Sequence, residues 1–286
     1  MNWLKRLNSS LEYIEEHITE DIHCEDVAKN AYSSYYHFMR MFFVLSGLNL
    51  GEYIRNRRLT LAASDLVSSN AKIIDIAHKY QYNTPESFSK AFKRFHGVTP
   101  RKAKLHQPEL KMFPKLTFQI KLQGDYLMNY QIIKKNDMTF KGVEKIISTN
   151  NGQNFVEIPK LWDEVMQSGT FEFLLEKADD MGVVGICYDH DNENNTFKYM
   201  IGIANTDAEI KNGTTVTFKP ETYASFKSVG ALPKALQNTI EQIYSEWFPS
   251  SNYEHSEGPE FEVYSKGNGF DKDYVCYYWV PIVEKA

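Results

Sequence analysis

Residues 34–47 read SYYHFMRMFFVLSG and residues 84–97 read TPESFSKAFKRFHG, and these two stretches decide the front of the chain. Phe38, Phe42 and Gly47 recur fifty residues later as Phe88, Phe92 and Gly97. Upstream, Ala28 recurs as Ala77, forty-nine residues on. Phenylalanines four apart stack on one face of a helix, and a glycine just past them is a helix stop. A small alanine in the preceding short helix lets the longer helix cross closely over it. Short helix, turn, longer helix is the helix-turn-helix pattern, and it occurs twice. A plain helical bundle with a solvated basic face accounts for one copy. It does not account for a second at the same offset.

Outward from these stretches, the spacing stays helical from Trp3 to about Lys104. Leu4, Leu7, Leu11, Ile14 and Ile18 form the apolar stripe of a first helix. Asp21 to Asn30 and Ile73 to Tyr80 predict the short helices, and Gly51 to Val67 a longer one between the two motifs. Ser33-Ser34 offers a cap for Tyr35 to Leu45. Thr84 caps the last helix, with Pro85 in its first turn where a missing N–H costs little.

Charge divides the chain. Residues 1–107 hold 15 Lys+Arg against 11 Asp+Glu, whereas residues 108–286 hold 17 against 26. A basic front on an acidic body suits an anionic partner for the front alone. The longer helices carry groups suited to a DNA groove: Ser34, Tyr36, His37, Met39 and Arg40 in the first, and Thr84, Pro85, Glu86, Ser87, Ser89, Lys90, Lys93 and Arg94 in the second. Arg55, Arg57 and Arg58 lie between them. Arg and Lys neutralise phosphates, and Arg can bind a guanine edge through two hydrogen bonds.

With these residues the front resembles the double helix-turn-helix DNA-binding domain of AraC/XylS-type regulators. The matching stretches are Ala31-Tyr32-Ser33-Ser34, Phe38-Met39-Arg40-Met41-Phe42, Leu50-Gly51-Glu52-Tyr53-Ile54-Arg55, Ile76-Ala77, Phe88 to Lys93 and Gly97-Val98-Thr99-Pro100. Leu50 stands where most of the family has Pro, a version similar to the MarA/Rob-like subgroup, and Gln81-Tyr82 replaces the usual Gly-Phe before the second reading helix. The resemblance implies double-stranded promoter DNA and RNA polymerase as partners and an activator's role. It also implies Tyr36, Met39, Arg40, Pro85, Glu86, Ser87, Ser89 and Lys90 as base-reading positions.

The rest of the composition is that of a globular protein: 286 residues suit two domains, with 42% apolar and 24% charged side chains. No apolar run approaches the ~20 residues that span a bilayer, and residues 1–17 lack the apolar block of a secretory signal. Cys24, Cys187 and Cys276 lack the spacing of a disulfide framework or a zinc site. A cytoplasmic protein is expected, away from membranes, with neither metal nor cofactor.

Pro108 and Pro114 break the helical pattern, which sets the front domain at 1–107 and a linker at 108–125, with a further strand or hairpin at Leu116 to Leu122. From residue 126 to 286 the period changes to that of an α+β domain. Strands are expected near Tyr130 to Ile133, Phe140 to Ile146, Met181 to Asp189, Phe197 to Ala204, Thr214 to Phe218, Tyr223 to Val229, Glu260 to Tyr264 and Tyr274 to Val283. Helices are expected at Phe155 to Met166 and Leu232 to Trp247. Gly182 and Tyr188 recur as Gly258 and Tyr264, seventy-six residues later, so a strand-helix-strand-strand unit is duplicated.

This arrangement, with Leu161-Trp162, Phe261-Glu262-Val263-Tyr264 and Trp279-Val280-Pro281-Ile282, resembles the GyrI-like effector-binding domains. Glu262 sits in an otherwise apolar and aromatic strand, where an unpartnered carboxylate is costly to bury. An acid among rings suits a lipophilic cation, through cation–π and Coulomb attraction, and the resemblance assigns that work to Glu262. Trp162, Tyr188, Tyr264 and Tyr277 are the candidate rings. Two alternatives stay open. Glu262 could face water over a plain aromatic core, or it could act as general base in a hydrolase of reactive lipophilic compounds. His190 and His255 lie in turn-like surroundings and are expected at the surface.

Overall fold

The computed structural model describes residues 3–31, 35–106, 108–119, 128–149, 153–191, 194–204 and 207–285. It divides into two compact units, residues 1–119 and 120–286.

The first unit is all helical: α1 (Trp3–Glu16), α2 (Cys24–Asn30), α3 (Tyr35–Ser46), α4 (Leu50–Ser68), α5 (Ile73–Lys79), α6 (Pro85–His96) and α7 (Pro100–His106). The two motifs are α2–α3 and α5–α6. In both, the repeated residues are core: Ala28, Phe38, Phe42, Ala77, Phe88 and Phe92 are fully buried. The second motif packs with Leu59, Ala62, Ala63 and Leu66 of α4 into one cluster. Local signals set the ends of α6. Thr84 Oγ1 accepts the Ser87 N–H at 3.1 Å, and Gly97 closes the helix at φ +82°, where glycine has no Cβ to clash.

The turn before α6 passes through left-handed backbone at a residue other than glycine. Gln81 takes φ +64°, and its side chain donates to the Thr19 carbonyl at 2.6 Å. Tyr82 then sets its ring against Phe88, centroids 5.3 Å apart.

Residues 108–119, the front of the expected linker, lie along the helical unit. The Asn8 side chain donates to the Phe118 carbonyl at 3.0 Å and accepts the Phe118 N–H at 2.9 Å. The Phe113 N–H bonds Thr60 Oγ1 at 2.9 Å. Phe113 and Phe118 set their rings edge-on to Tyr53 and Phe42. The strand expected at Leu116 to Leu122 is not formed by residues 116–119, and residues 120–122 lie outside the described residues.

The second unit carries β1 (Tyr130–Lys135), β2 (Met138–Ser148), α8 (Asn154–Gln167), α9 (Thr170–Lys177), β3 (Val183–Asp191), β4 (Thr196–Ala204), β5 (Thr214–Phe218), β6 (Glu221–Val229), α10 (Lys234–Gln242), β7 (Tyr253–His255), β8 (Glu260–Tyr264) and β9 (Val275–Glu284). The sheet runs β1-β6-β9-β8-β3-β4-β2-β5, with β7 on β9. This is the expected duplication, β2-helices-β3-β4 and β6-helix-β8-β9, with the halves meeting at β3·β8. Each half lends its leading strand to the other: β1 pairs with β6, and β5 with β2.

Register fixes sidedness, because side chains alternate along a strand. Phe261 and Val263 of β8 join a core with Phe140, Ile186, Tyr223 and Trp279. Glu260, Glu262 and Tyr264 take the opposite face, where α8 and the helical segment after α10 reach them.

Candidate functional site

On the helix-bearing face, Glu262 stands opposite Gly185 of β3. Its Oε2 accepts hydrogen bonds from the hydroxyls of Tyr199 and Tyr264, both at 2.9 Å. The Trp162 indole of α8 donates to the Tyr199 oxygen at 3.0 Å, and its ring stands edge-on to Tyr264 at 5.0 Å. Gly185 makes room: a Cβ there would lie 2.3 Å from the Tyr199 oxygen and 3.0 Å from Glu262 Oε2. Burial, then the adjoining Glu262 carboxylate, holds the Tyr199 and Tyr264 hydroxyls well above the usual phenol range. Both therefore stay protonated and donate. The result is one carboxylate ringed by three aromatic groups, a surrounding that favours a cation with apolar bulk.

Of the five expected ring and acid positions, the structure brings together Trp162, Glu262 and Tyr264. Tyr188 and Tyr277 are on the other face. Tyr188 gives its hydroxyl to Glu144 and packs on Phe218, while Tyr277 lines a cavity described below. In β9 it is Tyr278, one residue on, that pairs with Glu262. A one-residue difference in a strand reverses the face, and spacing within a single strand does not reveal its register. Tyr199 of β4 joins Glu262 through a register that its own strand does not reveal either. Gly185 had a signal, since glycine inside a strand often marks a close approach.

A second carboxylate lies on the same face. Glu260, 2% exposed, accepts from Tyr244 at 3.1 Å and Tyr278 at 2.8 Å, and His255 Nε2 is 2.8 Å away. His255, expected at the surface, thus belongs to a buried cluster, with its side chain 9% exposed. His190 is half-buried beside Phe197.

In the first unit α6 presents a polar face. Thr84, Glu86, Ser87, Lys90, Lys93 and Arg94 are exposed, with Pro85 and Ser89 half-buried, while Phe88, Phe92 and His96 turn inward. Met39, Arg40 and Arg55 are half-buried. Ser34 and the side chain of Tyr36 lie outside the described residues. Two of the three α4 arginines serve the fold. Arg57 makes a two-pronged pair with Glu15 at 2.8 and 2.7 Å and donates to the Phe113 carbonyl at 2.6 Å. Arg58 donates to the Ile18 and Glu20 carbonyls. These bonds hold α1, its following turn and the 108–119 segment. Burial raises the Tyr82 hydroxyl, although the adjoining Arg55, Arg58 and Arg94 charges oppose that shift.

Among the described residues no helix is long and apolar enough to cross a membrane, and no group of three or more His, Cys, Asp or Glu is placed to hold a metal ion.

Residues 131–282 match the family described as integron-associated effector binding protein, Cass2, and residues 27–105 match a helix-turn-helix domain. The front is 38% identical over 94 residues to the transcriptional activator AarP of Providencia stuartii, covering 33% of this chain and 70% of that one. It is 38% identical over 94 residues to the regulatory protein SoxS of Salmonella typhimurium, covering 33% and 88%. Against the regulator YbfP of Bacillus subtilis it is 36% identical over 100 residues, covering 35% of this chain and about a third, 34%, of that protein. The rear is similar to a solved bacterial transcription regulation protein from Staphylococcus aureus MU50, at 25% identity, TM-score 0.49, and coverage of 56% and 99%. The second unit of this chain has an open α+β sheet of GyrI-like type. The chain is a DNA-binding regulator that belongs, through its front unit, to the AraC/XylS-type helix-turn-helix family and, through its rear unit, to the Cass2 family of effector-binding proteins.

Proposed function

We propose that this chain is a cytoplasmic one-component activator whose rear unit binds a lipophilic organic cation at Glu262 without turning it over. The observation that carries the effector reading is the Glu262 carboxylate, which accepts from two tyrosine hydroxyls, one bonded to the Trp162 indole and the other edge-on to its ring. A cation placed there meets a partly desolvated negative charge and aromatic faces together. Trp162 and Tyr264 supply the rings, and the fully buried Tyr199 holds the carboxylate through its hydroxyl. Because Trp162 already bonds Tyr199, a ligand that stacks on it should change its fluorescence.

On the DNA side, α3 and α6 enter successive major grooves of an asymmetric promoter site of about 20 base pairs. The support is the duplicated motif and the basic exposed face of α6. The 19-residue α4 between the motifs is a rod of about 28 Å at 1.5 Å per residue. Arg40, Met39, Tyr36, Ser34 and the first turns of α6 (Thr84, Pro85, Glu86, Ser87, Ser89, Lys90) read bases, while Lys93, Arg94 and Arg55 meet phosphates. One chain suffices for both grooves, and RNA polymerase is the partner through which transcription rises.

Calorimetry with tetraphenylphosphonium and a neutral triphenyl analogue tests the effector site. The cation should bind the full chain, and Glu262→Gln should weaken it by roughly tenfold or more with little change for the neutral analogue. Unchanged cation affinity would remove Glu262 from the site, and steady consumption of a reactive ligand would make it a catalytic base instead.

A further inference from the structure

The face of the sheet turned away from Glu262 holds a cavity of about 810 Å³, within the range of small-molecule sites. Its floor comes from β1, β6, β8 and β9, and neither Glu262 nor Trp162 lines it. Register shows how the floor is laid. Ser225 lies beside Trp279, and Lys227 beside Tyr277, all on one face. Lys135 reaches in from β1 and sets its Nζ 4.9 Å from the centre of the Trp279 ring. Lys135, Lys227 and Ser225 thus line one cavity with Trp279 and Tyr277.

Charge on the other wall is opposite in sign. Asp137, Asp179 and Asp180 line the cavity from the β1–β2 turn and the approach to β3, but all three are exposed. Solvent screens the exposed carboxylates, and the exposed Lys227 with them, whereas Lys135 is half-buried against an aromatic floor and acts through a lower dielectric. The floor therefore decides the sign of the ligand.

We propose that this cavity is a second binding site, for an aromatic carboxylate or sulfonate. The arene lies on Trp279 and Tyr277, and the anionic group bridges Lys135 and Lys227 while accepting from Ser225 Oγ. The rear unit would then hold ligands of opposite charge on opposite faces of one sheet.

Calorimetry on the full-length chain with 1-naphthoate and 1-naphthylmethylammonium, which differ chiefly in charge, tests this site. Naphthoate should bind about tenfold more tightly than the ammonium compound, and added salt should narrow the gap. Lys135→Gln should weaken naphthoate by about tenfold, and Lys135→Arg should restore most of it. Lys135→Gln should leave tetraphenylphosphonium affinity intact, and that result also shows that the variant is folded. Saturation with tetraphenylphosphonium should leave naphthoate binding within about twofold. The assignment is overturned if the ammonium compound binds as tightly as naphthoate. Loss of naphthoate binding under competition would equally overturn it, as would a Lys135→Gln chain that binds naphthoate like the parent.

Discussion

The hydroxyl of Tyr199 lies 2.9 Å from the Glu262 carboxylate and accepts the Trp162 indole N–H at 3.0 Å. A buried tyrosine of β4 therefore couples a helix-borne ring to the one acid of the candidate effector site. This relay ties α8 to the Glu262 carboxylate. It also gives the sheet face a strict steric demand at Gly185.

Gly185→Ala should disturb the relay without changing any polar group. Its Cβ would fall 2.3 Å from the Tyr199 oxygen, and Tyr199 is fully buried. Overpacking of this kind costs roughly 1–3 kcal/mol. A lowered midpoint in denaturant and a shifted tryptophan emission are expected, and an alanine variant with parental values for both would contradict the geometry.

Gln81 should tolerate only residues at ease with left-handed backbone. At φ +64° a β-branched side chain is strained, so Gln81→Val should lower stability by about 1–2 kcal/mol. Gln81→Gly relieves strain but adds freedom to the unfolded chain and loses the bond to Thr19, so it should stay within about 1 kcal/mol of the parent. Thermal melts of the two variants check the order.

Arg57 and Arg94 should separate stability from DNA affinity. Arg57 is 9% exposed and paired with Glu15, so Arg57→Met leaves that carboxylate with the Tyr53 hydroxyl but no guanidinium and should cost roughly 3 kcal/mol. Arg94→Ala should leave the melt nearly unchanged. It should weaken specific and random DNA alike and reduce the slope of log affinity against log salt by about 0.9. Arg40→Ala should instead relax preference at one base, as judged by binding to single-base variants of a selected site.

Acid should loosen the first unit through His96. Burial holds its imidazole below the ordinary 6.5, outweighing the hydrogen bond to the Leu59 carbonyl. The folded state thus binds this proton less readily than the unfolded chain. The contribution is fully present above about pH 6.5 and is lost as pH falls through the lowered folded value. Melting temperature should drop as pH falls below about 6.5, and His96→Gln should flatten that part of the profile. A parental and a variant profile of the same slope would show that His96 is not the group responsible.

Most element positions and both duplications were legible in the sequence. Helical stripes such as Phe88, Phe92 and strand runs such as Phe261 to Tyr264 follow from periods of 3.6 and 2 that a chain displays locally, and caps such as Thr84 and Gly97 act within one turn. The site was only partly legible. Trp162, Glu262 and Tyr264 meet as expected, but Tyr188 and Tyr277 face away and Tyr199 takes a central place. Arg57 and Arg58 looked equal to Arg55 in the sequence, yet their partners, Glu15, Ile18 and Glu20, lie about 40 residues away. The sequence by itself determined most of the helices and strands, though not α9 or β7, and that each unit is built twice. The tertiary structure alone decided which face each side chain serves, because strand register and long-range pairing depend on segments that local periodicity cannot relate.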